Sequence, residues 1–184
     1  MNDQIKFSTI TTLKVTGVCL LSTFIYIIIN IAIGDNMGYY FVINPFTSGL
    51  IHANFNHILW NMFGIFVSLN ARCNRFYTLD KIFWITSLIS LIYLPIVLLD
   101  QDFASVGISG TCYFLLMRGL GSVQKLKPLS YFFISTILIA GFLKLGENDK
   151  ISHSVHIIGS LLGLISLYPN GIKFIHKKIY EIIS

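Results

Sequence analysis

Charged side chains are scarce in this sequence, and their scarcity excludes most classes of soluble protein. Only 11% of the 184 residues are charged, while 54% are hydrophobic; soluble domains average about 25% charged residues. The composition is that of a membrane protein. Lysine and arginine outnumber the acidic residues by 13 to 8. They are dispersed between apolar runs instead of forming a patch, which argues against a nucleic-acid partner.

Cysteines and linker sequences are also scarce. Cys19, Cys73 and Cys112 are an odd number and lie in or beside apolar segments, so they form neither a disulfide framework nor a metal-binding knuckle. We expect lipid-facing or packed thiols. Since no Pro/Ser-rich linker interrupts a chain of this length, a single domain over residues 1–184 is predicted.

Six apolar stretches predict an all-α membrane bundle. They approach the ~17–25 residues that a spanning helix needs. The predicted helices cover about residues 15–34, 57–71, 82–99, 103–123, 129–143 and 151–168. The first stretch is longer than the ~7–15-residue apolar core of a signal peptide and has no convincing A-x-A cleavage site, so we expect it to stay as a helix.

The distribution of basic residues predicts the orientation of the bundle. If the N-terminus lies inside, only Lys144 and Lys150 among the 13 basic residues fall in outer segments. This asymmetry satisfies the positive-inside rule. Both termini are therefore predicted to be cytoplasmic. A multi-pass chain without soluble domains fits a prokaryotic cell (inner) membrane.

The second predicted helix carries polar residues at its outer end. A polar side chain in a spanning helix is costly and is therefore a functional candidate. His57 and Asn61 are four residues apart and share one helical face, and His52 precedes them. Hydrogen bonds between helices, which hold many bundles together, are the structural alternative.

Small residues surround a serine at the start of the fourth predicted helix. The order is Gly107-Ile108-Ser109-Gly110, and flanking glycines let the backbone turn tightly and approach a ligand closely. Close helix packing explains the same small residues equally well. Tyr113 lies four residues after Ser109 on the same face, either as a core tyrosine or packed beside a partner of the serine.

The sixth predicted helix places His156 one turn before a pair of glycines, Gly159 and Gly163. Glycines four residues apart let a neighbouring helix come very close. A histidine that is satisfied within the bundle is again the structural alternative.

The polar residues on these three helices are estimated to lie at similar depths in the membrane. With a rise of about 1.5 Å per residue, Ser109 lies about 24 Å, His57 about 22 Å, His156 about 20 Å and Asn61 about 16 Å above the inner face. All four fall in the outer half of a hydrocarbon core of about 30 Å. Packing alone gives no reason for this agreement. The irregular stretch 100–107 must also dip below the surface, so a water-filled cavity is expected at the serine.

Such a layer supports hydrolysis of an amide. A serine hydroxyl needs a base to take its proton, and neutral histidine is the usual base; Ser109 and His156 are the candidates. No acidic residue in the layer completes a triad, so we expect a dyad. The Asn61 amide, the His57 ring and the Ser109 backbone N–H suit the developing oxyanion. Water is the second substrate, and no cofactor or metal is implied.

The three segments resemble those of the rhomboid intramembrane serine proteases in residue type, order and spacing. The resemblance implies a six-helix rhomboid-like bundle in which Ser109 is the nucleophile and His156 the general base. It also implies an oxyanion site at His57 and Asn61, with His52 as a supporting residue that links the first outer loop to the site. The other matching positions are Gly107, Gly110, Tyr113, Gly159 and Gly163.

Two features of the family pattern are missing. A Trp-Arg pair usually stands in the first outer loop, where this chain has Val42-Ile43-Asn44-Pro45-Phe46-Thr47, so the loop lacks an arginine anchor. A glutamate near the inner end of the second helix is replaced by Arg72-Cys73-Asn74. The chemistry needs neither residue, but loop stability and inner packing are expected to differ.

The resemblance implies that the substrates are transmembrane proteins, which are cut within or just outside a spanning helix. In the predicted topology the outer segment 144–150 lies above the site, and we hypothesise that it is a mobile cap. A relative without catalysis that binds membrane helices is an alternative function. A metal or proton transporter is another, suggested by His52, His57, His153 and His156, although no intramembrane carboxylate accompanies them. Metal content after purification separates the transporter from the protease.

Overall fold

The computed structural model describes residues 3–33, 44, 46–52, 55–99, 107–126, 128–129, 132, 135–136 and 153–167, except for the side chains of Ile33, Arg72, Ile96, Val97, Leu99 and His153. Several predictions fall outside this part of the chain. They are the helix 129–143, apart from the isolated positions just given, most of the outer loop before residue 46, the stretch 100–106, the cap at 144–150 and the C-terminal tail.

Five α-helices make up the described fold. They are α1 (Asp3–Ile33), α2 (Phe55–Leu69), α3 (Leu79–Leu99), α4 (Ser109–Ser122) and α5 (His153–Ile165). Short 3₁₀ helices cover Ser48–Leu50, Arg72–Asn74 and Gln124–Leu126, and the described residues contain no strand. The prediction of an all-α fold is confirmed. The first four helices fall on the first four predicted ones, and α5 falls on the sixth.

The helix α1 begins at Asp3, well before the predicted start at residue 15. Its first turns are polar, but they contact the C-terminal end of α2. Gln4 Nε2 donates a hydrogen bond to Leu69 O at 2.6 Å, and Ser8 Oγ donates one to Asn70 Oδ1 at 3.2 Å. Tertiary contacts therefore extend the helix beyond its apolar stretch.

Large apolar side chains cover the exterior, while polar side chains are buried inside. Phe24, Trp60 and Trp84 expose 60%, 70% and 63% of their surface, whereas Asn61 and Ser109 expose 6% and 7%. Soluble proteins avoid such a broad apolar exterior. This distribution fits a bundle whose outer surface contacts lipid.

One of the described helical segments, Asp3–Ala32, is long and apolar enough to cross a membrane by itself. Phe55–Leu69 and Ser154–Ile165 are shorter apolar helices. The number of spans and the orientation of the termini thus stay predictions.

A buried asparagine holds the connection between α2 and α3. Asn74 has no exposed surface, and its Nδ2 donates hydrogen bonds to Ser68 O at 2.9 Å and to Leu115 O at 2.8 Å. The thiol of the neighbouring Cys73 reaches Arg118 O at 3.6 Å. These contacts tie the end of α2 to α4 in the region where the glutamate of the family pattern is missing.

Replacing Asn74 by alanine is expected to destabilise the protein. Two buried hydrogen bonds are lost at about 1 kcal/mol each, which corresponds to a decrease in Tm of about 4–8 °C for a chain of this size. Thermal unfolding of the detergent-solubilised protein measures the change. Asn56→Ala, at an exposed position of α2, is the matched control; equal Tm values for the two variants would contradict the structural role of Asn74.

Candidate active site

Ser109 and His156 are joined by a hydrogen bond between α4 and α5. Ser109 Oγ lies 2.9 Å from His156 Nε2. Ser109 is buried and His156 is partly exposed. When Nε2 is unprotonated it accepts the hydroxyl proton, which is the arrangement of a nucleophile and its general base.

The position of Ser109 at the first residue of α4 affects its electrostatics. The N–H of Thr111 donates to Ile108 O at 3.0 Å, and the helix dipole places partial positive charge at this end of α4. Negative charge that develops next to Ser109 is therefore stabilised by the start of α4.

The separation of the dyad depends on glycines of α5 that touch the backbone of α4. A Cβ atom at Gly159 would overlap Gly110 O, and one at Gly163 would overlap Phe114 O. Gly110 itself faces Val155, where an added Cβ would lie 2.7 Å from Cγ1. Any larger residue at Gly159 or Gly163 would push the two helices apart and lengthen the hydrogen bond of the dyad.

Tyr113 stacks on the imidazole of His156. The ring centroids are 4.4 Å apart and the planes are inclined by 22°. Tyr113 follows Ser109 by one helical turn on α4, so one helix presents both the hydroxyl and the stacking ring. The sequence predicts no acidic residue that would orient the imidazole. Stacking on Tyr113 restrains the plane of the ring instead.

His57 packs against the backbone just before Ser109. A Cβ atom at Gly107 would lie 2.6 Å from His57 Cε1, and Gly107 has a φ of 110°, a conformation that glycine adopts without steric cost. Gly107 therefore lets the imidazole of His57 come close to the start of α4.

The side-chain NH₂ group of Asn61 lies in the interior. Its Nδ2 is buried and has no hydrogen-bond partner in the part of the chain that the structure describes. A buried donor without a partner costs about 1–3 kcal/mol. Such a group calls for an explanation, and a donor reserved for a reacting group provides one.

His52 connects the outer segment to the site, outside the helices. Its backbone N–H donates to Thr23 Oγ1 at 3.1 Å, and its Nδ1–H donates to Leu50 O at 3.2 Å. Its ring meets His57 edge-on, with centroids 5.1 Å apart. Burial, and secondarily the proximity of His57, lower the pKa of His52 to about 4, so the ring is neutral at pH 7.

Hydrogen bonds and close packing anchor the segment 46–52, which has no arginine. Ser48 O accepts a hydrogen bond from the N–H of Gly107 at 3.0 Å. Gly49 lies directly against Thr86 of α3, whose hydroxyl is 2.7 Å from Thr111 Oγ1 on α4. The outer segment is thereby fastened to both helices beside the site.

The sequence does not predict the contact of Cys112 with Asn61. Cys112 is a packed thiol, one of the two expectations for this cysteine, and it is buried against α2. Cys112 Sγ lies 3.2 Å from Asn61 O and 3.8 Å from Asn61 Oδ1. The sequence did contain one signal, because Cys112 lies three residues after Ser109 and so faces the same side of α4.

The histidines suggested for a transporter do not form a metal cluster in the described residues, where no three His, Cys, Asp or Glu side chains are grouped. The side chain of His153 lies outside those residues. Metal content of the purified protein therefore stays the measurement for that alternative.

A family model described as "Rhomboid domain" matches residues 41–171, well over half of the chain. The matched range contains every predicted site residue, from His52 to Gly163. No curated protein shows a significant match to the chain. The resemblance noted in the sequence is thereby confirmed for the family, while the roles of the individual residues stay predictions.

Gly159→Ala is expected to separate α4 from α5 and to reduce the reactivity of Ser109. A misplacement of about 1 Å can reduce the rate about 10²-fold, so labelling by a serine-directed fluorophosphonate should slow by about that factor. Gly17→Ala is the control, since a Cβ atom there meets nothing within 4 Å. Equal labelling rates for both variants would show that the glycine contact does not set the geometry.

Proposed function

The chain belongs to the rhomboid family, and we propose that it is an intramembrane serine endopeptidase. Members of this family are integral membrane proteins, and they are generally serine proteases that act on transmembrane substrates. The observation that carries the proposal is the 2.9 Å separation between Ser109 Oγ and His156 Nε2.

In the first half of the proposed reaction, Ser109 Oγ attacks the carbonyl carbon of the substrate while His156 Nε2 takes the hydroxyl proton. The carbonyl oxygen becomes an oxyanion. When the tetrahedral intermediate collapses, the C–N bond breaks and His156 gives its proton to the leaving amine. An ester then joins Ser109 to the amino-terminal fragment of the substrate.

In the second half, water replaces the amine. His156 takes a proton from the water as its oxygen attacks the ester, and it returns that proton to Ser109 Oγ when the acid product leaves. The same histidine therefore acts as base and acid in turn, as in other serine hydrolases. Stacking of Tyr113 keeps the ring in one plane through both halves.

Three donors are available for the oxyanion. The unpaired Nδ2 of Asn61, the ring of His57 and the backbone N–H of Ser109 all belong to the elements that meet at the start of α4. Preorganised donors of this kind contribute about 3–4 kcal/mol each to stabilisation of the transition state. A buried site strengthens these interactions because the effective dielectric constant is lower there than in bulk water.

The proposed substrates are membrane-spanning proteins. A helical peptide bond is shielded by its neighbours, so the substrate must unwind in part before its carbonyl reaches Ser109. Segments with helix-weak residues near the cut unwind at lower cost. In the proposed topology, the chain spans a prokaryotic cell membrane six times and both termini lie in the cytoplasm. The segment 144–150 lies above the site as a cap.

The competing function within the same family is a catalytically silent protein that binds membrane helices. Such a protein needs neither a serine hydroxyl nor a general base. This chain carries both groups within hydrogen-bond distance, which favours the protease.

Replacing Ser109 by alanine is expected to abolish cleavage. The purified protein in detergent is incubated with several single-span membrane substrates, and the products are identified by mass spectrometry. Wild type should cut at least one substrate. Ser109→Ala should fall to the uncatalysed background, because loss of the nucleophile leaves at most the small acceleration that binding and the oxyanion site provide.

Ser122→Ala, at the exposed inner end of the same helix, is the control and should keep the wild-type rate. Cleavage that persists in Ser109→Ala would refute the assignment of the nucleophile. If wild type cuts none of the substrates, the helix-binding function becomes the better account of the chain.

A further inference from the structure

Asn61 has two chemically opposite ends that occupy similar space. The carboxamide oxygen accepts hydrogen bonds and the NH₂ group donates them. Only one of the two orientations suits the proposed function, since an oxygen turned towards an oxyanion would repel it. Some neighbour must therefore favour the orientation that directs Nδ2 to the reacting carbonyl.

The neighbour of the Asn61 oxygen is the thiol of Cys112. Its Sγ is 3.2 Å from Asn61 O and 3.8 Å from Asn61 Oδ1, so the two oxygens share the single S–H proton, and the backbone carbonyl is the nearer acceptor. Cys112 exposes only 8% of its surface. Water therefore does not compete with the thiol for these two oxygens.

The opposite end of the amide is free. Nδ2 of Asn61 is buried and has no partner among the described residues. Cys112 follows Ser109 by three residues on α4, which corresponds to about 4.5 Å along the axis. Since Oδ1 is the end of the carboxamide that faces the thiol, Nδ2 is the end turned away from the sulfur.

We propose that Cys112 is a positioning residue, whose thiol fixes the orientation of the Asn61 carboxamide so that Nδ2 is kept for the oxyanion; this inference rests on the function proposed above. Without the thiol, the two orientations of the amide become nearly equivalent. A fraction of the molecules then presents Oδ1 to the oxyanion and reacts slowly, although the substrate binds as before.

The experiment compares Cys112→Val with Cys112→Ser in detergent-purified full-length protein. Valine has no donor and is larger than cysteine by about one methyl group, whereas serine retains a donor. With a single-span membrane substrate, Cys112→Val should lower kcat about tenfold and leave KM unchanged, less than the ~10²–10³-fold loss of a complete oxyanion donor. Cys112→Ser should retain most of the wild-type kcat.

A double-mutant cycle tests whether the effect passes through Asn61. In an Asn61→Ala background, Cys112→Val should cause no further decrease in kcat. Cys73→Val is the matched control, because this thiol also contacts a carbonyl, that of Arg118, but lies at the inner end of the bundle. It should keep the wild-type kcat.

Two outcomes would overturn the role of Cys112 while the protease function stands. One is a wild-type kcat in Cys112→Val, and the other is an equal decrease in both backgrounds, which would mean that the thiol acts by packing α4 against α2. A wild-type protein that cuts no substrate would overturn the proposed function itself and, with it, this role for the thiol.

Discussion

Direct contact between the backbones of α4 and α5 is the constraint on which the site depends. Gly159 and Gly163 each face a carbonyl oxygen of α4 without a side chain between them. The helices approach so closely that a serine on one and a histidine on the other form a hydrogen bond through short side chains. Among the described helices, this pair also has the most extensive contact. The geometry of the proposed dyad and the stability of the bundle thus depend on the same interface.

Buried polar groups organise the rest of the bundle at two levels. At the C-terminal end of α2, Asn74 joins this helix to α4. At its N-terminal end, Ser48 and His52 fasten the segment before α2 to its neighbours. In a lipid environment, apolar surfaces gain little from contacting one another, so hydrogen bonds and close packing specify which helices are neighbours.

The sequence predicted most of the candidate site, because polar residues are conspicuous inside apolar helices. Ser109 and His156 were assigned from spacing and estimated depth, before any contact between their helices was known. Cys112 was not assigned to the site, since a thiol looks like any small apolar residue until Asn61 is placed beside it. The anchors of the outer segment were also missed, because Thr23 and Thr86 are ordinary helix residues whose partners are distant in sequence. The helix α1 begins before the apolar stretch that predicted it, because contacts of Gln4 and Ser8 with residues at the end of α2 extend the helix. Hydrophobicity alone does not reveal these contacts.

Loss of the Ser109 hydroxyl would leave the packing of α4 against α5 unchanged. Its hydrogen bond is made to His156, while the fit between α4 and α5 comes from the glycines. Alanine at this position would keep a small side chain at the start of the helix and leave the glycine interface untouched. A single codon change therefore suffices to turn a protease of this architecture into an inactive relative with the same bundle.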